Sequence, residues 1–214
     1  MKSLLSLVIL IFLTTTSSMA REDSSSVKTP EVFIAGGIAY PYLPGEFKDY
    51  WNVGWNSGFG YGVSFSPGDV GYGTVYGDVE MARFAFDGSA ARRLLNLHQT
   101  NLLINRNPSY SVAFMLNFKG TFSSTQRTVA PYFLMGIGYL YNDIGSITVS
   151  GDTTVLVGGI ERHAFAWSFG VGVEVPVTES VGVFIQGKTI LGVGDPSHQY
   201  FPISTGLRYR FPSQ

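Results

Sequence analysis

Residues 164–177 read AFAWSFGVGVEVPV, and their two parities differ sharply. Phe165, Trp167, Phe169, Val171, Val173, Val175 and Val177 share one; Ala164, Ala166, Ser168, Gly170, Gly172, Glu174 and Pro176 share the other. A period of two belongs to a strand, whose successive side chains point to opposite faces. In a soluble sandwich the bulky face turns to a core and the other carries long polar side chains into water. The second face here is too small for that. Apolar bulk on one side and small or ionisable residues on the other suit a strand with hydrocarbon outside it and a narrow closed barrel inside.

The same division recurs along the chain. Residues 32–42, 55–65, 72–86, 110–122, 130–142, 164–177, 181–193 and 200–211 each alternate in this way, as where Phe59, Tyr61 and Val63 interleave with Gly58, Gly60 and Gly62. Pro44-Gly45, Ser66-Pro67-Gly68-Asp69, Thr178-Glu179-Ser180 and Gly194-Asp195-Pro196 supply turn chemistry between them. Arg83 interrupts the apolar parity of the third segment, which calls for a bulge or for a strand that has already left the hydrocarbon. Residues 87–109 form a long link, read either as a short amphipathic helix or as ladder extensions, and residues 146–149 and 153–157 flank a hairpin turn above the membrane. Links after the second, fourth and sixth segments are short, those after the first, third and fifth are longer, and the one after the seventh is intermediate. That alternation is the one expected of external loops and periplasmic turns, with both chain ends on the periplasmic side. The expected fold is all-β, an eight-stranded antiparallel up-and-down transmembrane barrel over residues 31–214.

Composition agrees. Only 14% of the 214 residues are charged, against about 25% in ordinary domains, and the formal net charge is -1. Nothing in the totals suggests nucleic acid as a partner. The absence of Cys excludes a disulfide framework, a thiolate metal site and a lipidated N-terminal Cys. Residues 1–20 have the form of a secretory signal peptide: Lys2, an apolar run over 4–13 broken only by Ser6, and Ser18-Met19-Ala20 as cleavage site. The run falls short of the roughly 20 apolar residues a spanning helix needs. Residues 21–30, REDSSSVKTP, read as a flexible lead-in.

Parity assigns Asp78, Glu80, Lys119, Glu174, Lys188, Arg208 and Arg210 to the inside of the barrel. On the lipid face near the midplane, Lys or Arg would each cost about 2–4 kcal/mol. In a narrow interior they need partners, and acids from the third and sixth strands face bases from the fourth, seventh and eighth. The expectation is a structural plug of ion pairs; the sharper alternative is a gate for a very narrow pore.

Three stretches carry a family resemblance: PYFLMGIGY from Pro131 to Tyr139, GVGVEVPVTESVGVF from Gly170 to Phe184, and GLRYRF from Gly206 to Phe211. With them the chain resembles the OmpA-like and opacity-type porin group of eight-stranded outer-membrane barrels in Gram-negative bacteria. The resemblance implies an integral outer-membrane location, folding by the barrel-assembly machinery, and a structural, adhesive or surface role. The chain departs from the pattern at its end, where Pro212-Ser213-Gln214 follow Phe211 in place of a terminal aromatic.

Catalytic and cofactor motifs are not in evidence, and no cofactor is expected. A lipid A-modifying hydrolase would need a His beside a Ser on one face. His163 and Ser168 differ in parity, and His198 and Ser204 lie roughly 20 Å apart along their strand. The paired glycines open no helix and precede no Walker Lys, and Asp143, Asp152 and Asp195 lack the spacing of a calcium loop. Arg92, Arg93 and Arg106, in the long external link, are candidate contacts for lipopolysaccharide phosphates. A secreted lipocalin-like binder is the soluble alternative, but its water-facing side would carry more Lys, Glu, Thr and Asn. The expected partners are outer-membrane lipids, lipopolysaccharide and the assembly machinery, with the barrel itself a monomer.

Overall fold

The computed structural model describes residues 28–41, 51–65, 72–89, 103–106, 108–122, 129–150, 154–157, 159–194 and 198–212. In chain order its strands are β1 (Thr29–Pro41), β2 (Trp51–Phe65), β3 (Tyr72–Phe86), β4 (Leu103–Arg106), β5 (Ser109–Thr121), β6 (Ala130–Ile144), β7 (Ile147–Ser150), β8 (Thr154–Val157), β9 (Ile160–Pro176), β10 (Val181–Val193) and β11 (His198–Arg210). Eight of them close into an antiparallel barrel in the order β1-β11-β10-β9-β6-β5-β3-β2. The remaining three form a small sheet in the order β4-β7-β8. Because β7 and β8 prolong the β6–β9 hairpin past the Ile144–Ile160 pair, this sheet stands beyond one end of the barrel.

The register fixes the barrel's dimensions. Stepping across ladder partners from Glu31, the path runs through Gly62, Tyr76, Asn117, Gly136, Ser168, Ile190 and Tyr200. It returns to β1 at Pro41, ten residues above its start. That stagger over eight strands sets a tilt of about 40° and a radius of about 8 Å, so each residue advances about 2.5 Å along the axis.

The two faces divide as strongly as the two parities. On β9, Trp167 is 43% exposed and Val171 67%, while Ser168 is 0% and Glu174 1%. Ile34, Phe59, Leu116, Phe169, Ile185 and Leu207 likewise stand out from other strands. In water this continuous apolar belt would carry a large hydration penalty; in hydrocarbon it carries none, and closure leaves no sheet edge unsatisfied. Aromatic side chains mark both margins, with Phe122, Tyr209 and Phe211 at one and Trp55, Tyr40 and Phe165 at the other. The connections at residues 66–71, 122–129 and 177–180 are short and share an end with Thr29 and Arg210. The connections at 42–50, 87–108 and 145–159 lie at the opposite end, which is therefore external. Residues 194–197, also external, are as short as a periplasmic turn.

Several boundaries differ from the sequence reading. β1 starts inside the 21–30 lead-in, because Thr29 and Pro30 complete a ladder with Ser64 and Val63. β2 starts at Trp51, past a register shift between Asn52 and Trp55. Gly54 occupies that shift, where a Cβ would stand 2.7 Å from the Arg83 carbonyl carbon. The irregularity around Arg83 therefore lies in β2, and β3 itself keeps its parity, with Arg83 turned outward. Within the 87–109 link, Leu103–Arg106 extends the ladder of β7 and Gly88 and Ser89 are helical, while residues 90–102 lie outside the described residues. The signal peptide over 1–20 lies outside them too. One gap interrupts the wall: Pro202, which has no N–H, leaves Lys188 and Thr189 without ladder partners on β11 although the register continues on either side.

Lipid exposure makes a depth-dependent prediction. Leu116, 50% exposed at mid-height on β5, is expected to cost about 2–4 kcal/mol on replacement by Lys, whereas Val177→Lys at the periplasmic margin costs about 0–1 kcal/mol. Denaturant unfolding in lipid vesicles measures both, and equal costs would contradict the assigned depth.

Candidate functional site

Alternation puts about half of each strand's side chains into the lumen, and at a radius of about 8 Å they meet across the axis. They are sorted by height into layers. Nearest the periplasm, Glu174 on β9 receives Lys119 Nζ at 3.0 Å and Arg208 Nη1 at 2.6 Å on Oε2, while Oε1 accepts from Arg210 Nη2. Glu31 on β1 stands 3.5 Å from Arg208 Nε and 3.6 Å from Arg210 Nε, and Ser64 donates to its Oε2 at 2.8 Å. Arg210 also donates to the Tyr72 hydroxyl at 3.0 Å, and Lys119 Nζ lies 5.1 Å from the Tyr132 ring centre. Two acids and three bases are thereby held in one contact network.

An aromatic layer follows. Phe33 packs edge-on against Tyr76 and Phe184, with Tyr132 and Leu134 in the same cluster. These rings fit because glycines stand opposite them: a Cβ at Gly206 would lie 2.5 Å from Phe184 Cζ, and one at Gly172 would lie 2.5 Å from the Tyr132 hydroxyl. The small inner face of the opening motif is thus a set of holes for large side chains from other strands.

Above the rings, Lys188 on β10 crosses the lumen to β3, 3.0 Å from Asp78 Oδ2 and 2.8 Å from Glu80 Oε2. Asn117 donates to Asp78 at 3.1 Å and accepts from Ser168 at 2.8 Å; Asn56 donates to Ser204 at 2.6 Å. The external end is sealed by an apolar layer that includes Trp51, Phe84, Phe86, Leu140, Ile190 and Tyr200. A recess among Trp51, Ser109, Ser111, Asn142 and Tyr200 has a volume of about 10 Å³, on the order of one water molecule.

All seven lumen residues named from the sequence are buried, and they fall into two separate groups. The eighth buried charge among the described residues, Glu31, 0% exposed, was missed because Thr29 and Pro30 did not read as strand; extending the parity of Phe33 back by two residues finds it. Inner parity already held Ser64, Asn117 and Gln186, but their partners, Thr74 and the aromatic layer were missed, since strand alternation gives a side chain's face but not its neighbour across the axis.

Other candidates disperse. His163 is exposed on the outer face, where its Nδ1 meets the Tyr139 hydroxyl, and Ser168 lies inside the lumen. Arg92 and Arg93 lie outside the described residues, as do His98 and the side chains of Arg106 and His198. Among the described residues no group of three or more His, Cys, Asp or Glu is placed to hold a metal ion. No helix among them is long and apolar enough to cross a membrane, which says nothing of crossing by strands.

Burial sets the expected losses. Glu174→Gln leaves Lys119 without its acid and both arginines with Glu31 alone, and is expected to cost about 3–5 kcal/mol. Gly206→Val drives a side chain into the Phe184 ring and is expected to cost about 1–3 kcal/mol. Both are read from the denaturant midpoint of the refolded barrel, and wild-type midpoints would refute the packing described.

No protein-family model matches the sequence, and no curated protein does. Among solved structures the chain is similar to Ail, the attachment invasion locus protein of Yersinia pestis, at 14% identity over 88% of this chain and 100% of that one, TM-score 0.46. It is similar to Neisserial surface protein A at 14% identity over 88% and 100%, TM-score 0.43. It is also similar to the outer membrane enzyme PagL at 16% identity over 84% and 98%, TM-score 0.44. The apolar belt, the lumen of paired acids and bases and the loop asymmetry of this chain are those of an eight-stranded β-barrel integral to the outer membrane.

Proposed function

We propose that this protein is a non-enzymatic, non-conducting outer-membrane barrel whose filled lumen braces the wall and whose role is structural or is exercised at its surface. The observation that carries the reading is the stack of layers across the lumen. Lys188 bridges to Asp78 and Glu80, the Glu31, Glu174, Lys119, Arg208 and Arg210 network closes the periplasmic end, and apolar side chains close the other. A hydrated ion meeting these layers would have to displace a ring cluster and two sets of paired charges.

A surface role is favoured by the β4-β7-β8 sheet, whose backbone extends the wall beyond the external end of the barrel and outside the bilayer. A non-enzymatic reading is favoured by the separation of His163 and Ser168 onto opposite faces of β9. Under this reading the barrel works as a monomer among outer-membrane lipids, after insertion by the barrel-assembly machinery.

Conductance is the deciding measurement. Purified barrel in planar bilayers is expected to give no discrete current steps, and Lys188→Met, which removes the only base touching Asp78 and Glu80 among the described residues, to give none either because the aromatic layers remain. Reproducible steps from the wild-type protein would replace this reading with that of a narrow pore.

A further inference from the structure

On the outer face of β3 the side chains run Gly73, Val75, Gly77, Val79, Met81 and then Arg83. From Gly73 to Arg83 is ten residues, about 25 Å along the axis at this tilt, which is the height of the apolar band of such barrels. Arg83 therefore stands at the upper margin of the hydrocarbon, at the level of the lipid headgroups of the outer leaflet. Its register neighbours there are Trp55 on β2 and Tyr110 on β5. The guanidinium carbon lies 5.7 Å from the centre of the Tyr110 ring, so the planar group is held against the barrel wall.

Arg83 is exposed, and no carboxylate among the described residues pairs with it. The acids on the same ladder row, Asp143 and Glu161, lie one and two strands further on, beyond Tyr110. This differs from the cations of the lumen, each of which has an acidic partner. A guanidinium held against the Tyr110 ring, with Trp55 beside it in register and no carboxylate partner among the described residues, matches a phosphate, to whose oxygens it donates two parallel charge-assisted hydrogen bonds.

We propose that Arg83, seated on Tyr110 and flanked by Trp55, binds the phosphate of a phosphorylated glycolipid of the outer leaflet. Trp55 and Tyr110 meet the boundary between acyl chains and headgroup, and Arg83 supplies the charge. The inference rests on the outer-membrane placement and not on the closed lumen, so the conductance result leaves it standing.

The test uses the full barrel in phosphatidylcholine nanodiscs doped with bis-phosphorylated lipid A, with retained lipid measured by native mass spectrometry after release into detergent. Arg83→Gln is expected to lower retention about tenfold, the loss of one charge-assisted contact. Arg83→Lys, a point charge without the fork, is expected to fall between the two, and it keeps the question answerable if the Gln variant folds poorly by heat-modifiability. Lipid A stripped of phosphate is expected to be retained weakly and equally by wild type and variant. Equal retention of bis-phosphorylated lipid A by wild type and Arg83→Gln overturns the proposal, and so does an equal drop with the dephosphorylated lipid. Phosphatidylglycerol retained as strongly as lipid A, in an Arg83-dependent way, overturns the assignment to the glycolipid.

Discussion

Everything in this molecule follows from the closure of an eight-stranded sheet with a ten-residue stagger. Closure satisfies the wall's edges, which a bilayer demands, and at the same time fixes an interior too narrow for bulk water. Whatever points inward has to be packed or paired, and whatever points outward has to tolerate hydrocarbon. The alternation of the opening motif is the sequence's answer to both demands at once: Trp167 and Phe169 are left to lipid, and Gly170 and Gly172 leave room for Leu134, Lys188 and Tyr132.

The composition of the interior shows how costly desolvation is contained. Four acids and four bases are buried among the described residues, and none is stranded. Counted as ionised, the periplasmic group of Glu31, Glu174, Lys119, Arg208 and Arg210 carries one excess positive charge, and the group of Asp78, Glu80 and Lys188 one excess negative charge. Rings separate the two groups, so each is neutralised mainly by its own contacts, and the arginines gain further from Phe33 and Phe184 at 5.8 and 5.4 Å from Arg208. Replacing such clusters with apolar residues can be neutral or stabilising in other proteins, whereas removing one partner of a buried pair is costly.

Much of the architecture was legible in the sequence because a strand's period is short and a bilayer is an unforgiving solvent. Strand count, the faces of Trp167, Leu116 and Glu174, the β7–β8 hairpin and the side on which the ends lie all follow from local pattern and link length. What local pattern cannot show is who meets whom across the axis. Lys188 and Asp78 are 110 residues apart and Asn56 and Ser204 are 148 apart; only the stagger of the closed sheet brings them level. Glu31 was hidden for a different reason: Pro30 imitates the end of a lead-in, while at a strand's first residues it sits without loss. Arg83 read as a defect in β3 because the shift belongs to its neighbour β2, an irregularity that the alternation of β3 does not record.

The placement of Glu31 on the first barrel strand and of Arg208 and Arg210 on the last bears on the order in which the molecule is made. During insertion, a partial sheet lacking β11 would hold Glu31 and Glu174 short of two of their three cations, and a sheet lacking β1 would leave Arg208 and Arg210 to share Glu174 alone. Neither partial sheet has the full set of contacts, so such intermediates are penalised and the final seam, β1 against β11, is the step that completes the network.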